Sequence, residues 1–240
     1  MKISGREFLD QERKAVTLMG MSGVGKTYLA CQLKGWGWDF YSCDYEIGTK
    51  HLNIPVTPED LSLLSGYIGK LGNPAMGGMG LAEFKKRQKA YYDAECAAVE
   101  AIGGSKKNFV NDSTGSLCEI MDEGVIRRLG AKTLIVYIQS DEAHNRTVIE
   151  RARLYPKPLF FPPAKFDEWL AEYLGAKGLS GADDIVPDEF SRWVFPRLLE
   201  SRLPKYQKIA DTYGVTIPAA DLKDVKSERD FVDVVAAALG

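Results

Sequence analysis

Histidine is nearly absent from this 240-residue chain, which has two, His51 and His144, and cysteine is scarce, with four. Neither histidine has a His or Cys partner within one or two helical turns, which argues against a His-based metal site. Cys31, Cys43, Cys96 and Cys118 are scattered, with no Cys-x-x-Cys, which speaks against a zinc site and a disulfide framework and predicts reduced thiols. No run approaches the 18 or so apolar residues of a membrane span, and Met1–Lys14 is polar, without the apolar core of a signal peptide. The expectation is a cytoplasmic protein with no membrane partner. An excess of either charge is missing too: 31 Lys and Arg stand against 33 Asp and Glu, a net charge of -2. Such a chain has no global attraction for nucleic acid, which would need a local basic patch.

What is present is ordinary globular material, 45% hydrophobic and 27% charged. A chain of this size removes roughly 70–75% of its unfolded surface from water on folding, so staples are not needed. Short apolar or β-branched runs at Ala15–Gly20, Asp39–Asp44, Asn108–Asp112, Thr133–Gln139 and Gly214–Pro218 predict strands. Helical patterns lie between them, at Leu81–Ile102, Ser116–Leu129, Asp141–Leu154 and Pro204–Tyr213, and one follows the last, at Ser227–Leu239. Strands alternating with helices predict one α/β domain over residues 1–240, a three-layer fold around a five-stranded parallel sheet. Residues 45–105 read as a helical substrate-side segment and 155–200 as a helical lid insertion. The Gly- and Met-rich stretch Leu71–Gly80 reads as a mobile loop.

The strongest signal is Gly20-Met21-Ser22-Gly23-Val24-Gly25-Lys26-Thr27, which fits G-x-x-x-x-G-K-[ST] between a predicted strand and a predicted helix. Glycines let consecutive N–H groups turn toward phosphates, and the helix adds the positive end of its dipole. Lys26 is expected on the β- and γ-phosphates and the Thr27 hydroxyl on Mg²⁺, with Tyr28 counted in the nucleotide site. The pattern implies ATP and Mg²⁺ but not the use made of them. The size argues against a large motor and no guanine-selecting N-K-x-D is present, which leaves a small kinase as the leading class.

From this loop onward the spacing resembles shikimate kinase and its relatives among small-molecule kinases. Phe40-Tyr41-Ser42-Cys43-Asp44-Tyr45-Glu46-Ile47 is similar to the family's aromatic-D-x-D-x-x-I, with Asp44 at the second aspartate and Ser42 at the first. Phe84-Lys85-Lys86-Arg87-Gln88 is similar to F-R-x-x-E, with Lys85 in place of a substrate-binding arginine. Arg202-Leu203-Pro204-Lys205-Tyr206-Gln207-Lys208-Ile209-Ala210 follows R-x-P-x-Y-x-x-x-A, whose arginine clamps a substrate carboxylate. Asp112-Ser113-Thr114-Gly115 replaces the glycine triplet that lines substrate and γ-phosphate, and Lys157-Pro158-Leu159 replaces the lid's arginine-proline-leucine. The resemblance implies a P-loop kinase with ATP, Mg²⁺ and a small hydroxyl substrate. The departures point to a relative of shikimate kinase with another acceptor.

Chemistry assigns the roles. Asp44, ending a strand beside the loop strand, is expected to orient or deprotonate the acceptor hydroxyl; its alternative is a helix N-cap. Asp112 is expected to hold Mg²⁺, replacing the acid absent at Ser42, or else to cap a helix. Arg151, Arg153 and Lys157 are lid cations for the nucleotide and the transferring phosphoryl, with a solvated face as the alternative. The resemblance implies that Lys85, Ser113, Thr114, Gly115 and Arg202 make up the substrate side, and Arg202, whose planar guanidinium suits a carboxylate, suggests with Lys85 an anionic metabolite. Two other readings stay open: a P-loop regulatory or interaction module with little kinase activity, and a polynucleotide or nucleotide kinase, for which Lys85–Lys89 would be the basic face.

Overall fold

The computed structural model describes residues 3–240, and its chain divides into two compact units. One comprises the residues up to Cys43 with Cys96–Asn145 and Arg202–Gly240; the other comprises Asp44–Glu95 and Arg146–Ser201. In chain order the elements are α1 (Gly5–Asp10), β1 (Ala15–Met19), α2 (Lys26–Gly35), β2 (Asp39–Ser42), α3 (Cys43–Glu46), α4 (Ser62–Ile68) and α5 (Leu81–Glu100). There follow β3 (Phe109–Asp112), α6 (Glu123–Lys132), β4 (Leu134–Gln139), α7 (Glu142–Leu154), α8 (Pro163–Lys177), α9 (Pro187–Tyr213), β5 (Gly214–Pro218) and α10 (Glu228–Leu239).

The five strands form one all-parallel sheet in the order β2-β3-β1-β4-β5, an α/β P-loop fold. Parallel neighbours need long crossovers, and the helical patterns between the apolar runs supply them. The register sets Leu18 beside Asp112 and Ser42 beside Asp112, so the carboxyl ends of β1, β2 and β3 lie level. Ligands of open α/β sheets collect at such an end. Apolar side chains of the sheet pack with Phe8, Leu29, Leu33, Phe231 and Val235 of the helices in one buried cluster. A polar thread also crosses the interior: Thr133 and Thr17 hydroxyls lie 2.7 Å apart, Asn111 Nδ2 donates to Thr17 Oγ1 at 3.2 Å, and Cys43 Sγ donates to Asn111 Oδ1 at 3.2 Å. The thread ties the starts and ends of neighbouring strands together, and it accounts for Cys43 as a structural thiol. No disulfide forms among the described residues.

In the second unit the core is aromatic: Phe84, Phe161, Phe166, Trp169, Tyr173 and Phe190 are all buried in one cluster. Gln88 fastens the extended segment before α8 to α5, donating to Leu159 O at 3.1 Å and accepting from Phe161 N–H at 2.9 Å. The stretch expected as a mobile loop is instead tied back on itself. Leu71 bridges Met79, Gly72 N–H donates to Met79 O at 3.1 Å, and Asn73 caps a short 3₁₀ turn at Pro74–Met76.

Two helix expectations need correction. Ser116–Leu129 is not one helix: a 3₁₀ turn at Leu117–Glu119 ends in extended backbone at Ile120, and Asp122 then caps α6 by accepting from Gly124 N–H at 2.7 Å. An aspartate with a free amide two residues on starts a new helix more readily than it sits inside one. Pro204–Tyr213 is only the last part of the 27-residue α9, which runs through Pro196 and Pro204. A proline interrupts one hydrogen bond, but Phe190, Val194, Leu198, Arg202, Tyr206 and Ala210 are buried at every fourth position, and that continuous stripe outweighs it.

Phe84 touches both Phe161 and Phe166, with ring centroids 5.9 and 5.5 Å away. Phe84→Ala is expected to lower stability by about 3–5 kcal/mol in urea denaturation followed by tryptophan fluorescence. A loss below about 1 kcal/mol would show that the aromatic cluster does not hold this unit together.

Candidate active site

The loop after β1 turns on glycines. Gly20 has φ +149°, and a Cβ there would meet Ile138 O at 2.7 Å, so only glycine lets the loop leave β1 beside β4. Gly25 stands left-handed at φ +105° immediately before α2, aiming the first amides of that helix into the loop. Met21 and Val24 bury their side chains in the interior, so their contribution to a ligand is backbone. Ser22, Gly23 and Thr27 are exposed on the loop, as is Tyr28, whose hydroxyl accepts from Gln32 Nε2 at 3.1 Å. Lys26 is buried, and its Nζ donates to Gly20 O at 2.8 Å and Met21 O at 3.1 Å, which holds the ammonium inside the curl of the loop.

At the end of β3, Asp112 is 7% exposed. No helix starts directly behind it, since the next turn begins at Leu117 after Ser116, so the capping alternative fails. Thr27 donates a hydrogen bond to its carboxylate, and Lys26 lies close enough to stabilise the charge. Burial is the larger effect and pushes the Asp112 carboxyl above its ordinary 3.8. Its Oδ1 is buried with no hydrogen-bond partner. A buried carboxylate oxygen without a donor, next to the hydroxyl of Thr27 and the loop lysine, has the donor chemistry for a hard divalent cation. Mg²⁺ therefore fits Thr27 and Asp112, and a triphosphate fits the loop.

The remaining expected residues fall into two groups. Ser113 and Thr114 are 3% and 2% exposed. The Ser113 hydroxyl donates to Leu18 O at 2.7 Å, and Thr114 Oγ1 accepts from Ser116 N–H at 3.1 Å. Both hydroxyls thus serve the fold. Gly115 packs on the loop so closely that a Cβ would lie 2.5 Å from Ser22 Oγ. Arg202 is buried and donates from Nε to Glu119 Oε1 at 3.0 Å and from Nη1 to Gly115 O at 3.1 Å. Lys205 closes on the other oxygen of Glu119 at 2.5 Å. Burial pushes the Cys118 thiol up to about 12 and the Tyr206 hydroxyl well above its ordinary value, so both keep their protons at neutral pH.

Asp44 lies in the first turn of α3, two residues past the end of β2, and is half-buried. Lys85 pairs with Asp167 at 2.7 Å and lies over the Phe166 ring, and Arg153 pairs with Glu150 at 2.6 Å. Arg151 and Lys157 are exposed, and neither makes an ion pair among the described residues. Sequence reasoning gave no role to Glu119, Lys205 or Tyr206. The last two lie inside the quoted R-x-P-x-Y pattern; Glu119 carried no signal, lying in a stretch that reads as plain helix.

No protein-family model matches the chain, and no curated protein matches it. In structure it is similar to shikimate kinase from Bacteroides thetaiotaomicron, with 15% identity, coverage of 93% of this chain and 95% of the other, and a TM-score of 0.45. It is similar as well to shikimate kinase from Aquifex aeolicus (14%, 93% and 95%, 0.47) and to a gluconokinase from Sinorhizobium meliloti (15%, 83% and 94%, 0.27).

The raised Asp112 pKa has a definite sign for stability. Below pH 3.8 the proton is held whether or not the chain is folded, and the cost of the buried charge grows as pH rises through the higher folded value. Asp112→Asn removes that charge, so at pH 7 the variant is expected to melt about 3–8 °C higher than the parent. Its Mg²⁺-dependent gain in nucleotide affinity is expected to fall by about tenfold or more in calorimetry. Lower melting with the Mg²⁺ dependence retained would assign Asp112 to the fold alone.

Proposed function

We propose that this chain is an ATP-dependent phosphotransferase that moves the γ-phosphate of ATP to a hydroxyl of a small metabolite. The observation that carries the reading is the pairing of a complete phosphate-binding loop, Gly20–Thr27, with the buried Asp112 carboxylate that accepts from Thr27. The order of the later patterns, which resembles that of shikimate kinases over much of the chain, supports a kinase over a binding module.

In this reading the loop amides and Lys26 would bind the β- and γ-phosphates, while Thr27 and Asp112 would hold Mg²⁺, Asp112 through water. Bound MgATP supplies an activated phosphoryl group. Asp44 takes the proton of the acceptor hydroxyl as that oxygen bonds to phosphorus, and the bond from phosphorus to the bridging oxygen of ADP breaks. Arg151 and Lys157 have charge available for phosphate oxygens, or for the carboxylate of an anionic acceptor, because no carboxylate among the described residues pairs with them. Lys85 and Arg202 are committed to Asp167 and Glu119, so an anionic acceptor would draw on the exposed pair instead.

Three variants test the assignment with ADP release measured against panels of hydroxy acids, sugars and nucleosides. Lys26→Ala should lower acceptor-dependent release by about 10³-fold in a chain that circular dichroism shows to be folded. Asp44→Asn should lower kcat by about 10²-fold or more with ATP affinity nearly unchanged. Lys157→Ala should lower kcat more than it raises KM. Wild-type turnover in Lys26→Ala would remove the loop from the chemistry, and ATP binding without acceptor-dependent release on any panel would favour the regulatory module.

A further inference from the structure

The Gly115 carbonyl receives two side chains from one helix: Arg202 Nη1 at 3.1 Å and, one turn later, the Tyr206 hydroxyl. On its other side Gly115 presses on Ser22 of the phosphate-binding loop, where a Cβ would fall 2.5 Å from Ser22 Oγ and 3.2 Å from Ser22 N. Tyr206 also reaches the loop directly, with its hydroxyl 3.5 Å from Met21 Sδ, and its ring stacks on Tyr137 of β4 at 5.4 Å. Glu119 locks the guanidinium in place from behind and is itself held by Lys205. Glu119, Arg202 and Tyr206 are 2%, 6% and 0% exposed.

A guanidinium that donates to a buried carboxylate and a buried carbonyl at once has spent its planar donor fork inside the protein. It has little left to offer a substrate. We propose that Arg202, Glu119 and Tyr206 form a strut that seats Gly115 against Ser22 and so sets the position of the phosphate-binding loop; they are positioning residues of the nucleotide site, not acceptor ligands. The proposal rests on the nucleotide site described above. Its mechanical logic is that the loop amides bind phosphate well only when held in place beforehand, and the strut adds backing from outside the loop to the bonds that Lys26 and Val24 make to Met21 O within it.

The test needs no acceptor. Calorimetric titration of the full chain with MgATP, at a temperature where every variant is folded by circular dichroism, reads the loop directly. Arg202→Lys keeps the charge but loses the fork, and should raise the MgATP Kd about tenfold; Tyr206→Phe removes one of two donors and should raise it roughly threefold. Glu119→Gln should resemble Arg202→Lys, and the double variant should be little worse than either alone, as for parts of one unit. Val235→Ala, in the buried face of α10, supplies a comparable loss of stability away from the loop and should leave the Kd unchanged. Wild-type Kd values for Arg202→Lys and Tyr206→Phe would overturn the strut, as would an equal loss in Val235→Ala or full additivity of the Arg202 and Glu119 changes. A parent chain that binds no MgATP would instead overturn the nucleotide site itself.

Discussion

Asp112 is a carboxylate kept out of water at the end of a central parallel strand, and much of its surroundings is arranged so that it can stay there. β3 lies between β2 and β1, so the backbone that carries Asp112 is flanked by a strand on each edge. Thr27 donates to it from the first turn of α2, and Lys26 lowers the energy of its charge from the same turn. Neither removes the cost of burial, because one oxygen is left without a donor. A fold gains nothing in stability from such an arrangement; a cation site does, because a ligand supplies the missing charge.

The other buried acid of this unit makes the contrast plain. Glu119 is as deeply enclosed as Asp112, yet Arg202 and Lys205 take both its oxygens. Paired buried charges hold geometry, and an unpaired one invites chemistry. Both lie on chain at or just past the end of β3, seven residues apart, so one short segment carries both the carboxylate we propose for Mg²⁺ and the anchor of the proposed strut. Ser113 and Thr114 fill the space between with hydroxyls bound to backbone groups, Ser113 donating to Leu18 O and Thr114 accepting from Ser116 N–H, which makes that segment stiff where a run of glycines would be free.

The parts legible in the sequence were those set by neighbours along the chain. Each strand was visible as a short apolar run, and the boundaries of β5 were read to the residue because Tyr213-Gly214 and Pro218 punctuate it on both sides. The phosphate-binding loop was legible for the same reason, since eight consecutive residues carry its turns, charge and hydroxyl. Local signals mislead where they conflict with distant packing. Pro204 read as a helix start, but a buried stripe from Phe190 to Ala210 carries α9 through it. Residues 116–129 read as one helix from apolar spacing, while the Asp122 cap ended that possibility. The Gly- and Met-rich stretch read as mobile, and the Leu71 to Met79 bridge ties it down.

The sequence by itself determined the alternation of strands and helices, the parallel sheet that follows from it, and the loop whose amides, lysine and threonine suit a triphosphate and Mg²⁺. These depend on backbone preference and on spacing within a few residues, which short-range sterics enforce. Only the tertiary structure decided what the cations do. Arg202 looks the same in sequence whether it meets a substrate or Glu119, and Glu119, which its guanidinium meets in the fold, lies 83 residues away. Lys85 meets Asp167 across a similar distance in sequence, whereas Arg151 and Lys157 meet no acid among the described residues. Charge pairing is decided by which groups the folded backbone brings within a few ångströms in a desolvated setting, and no local pattern encodes that.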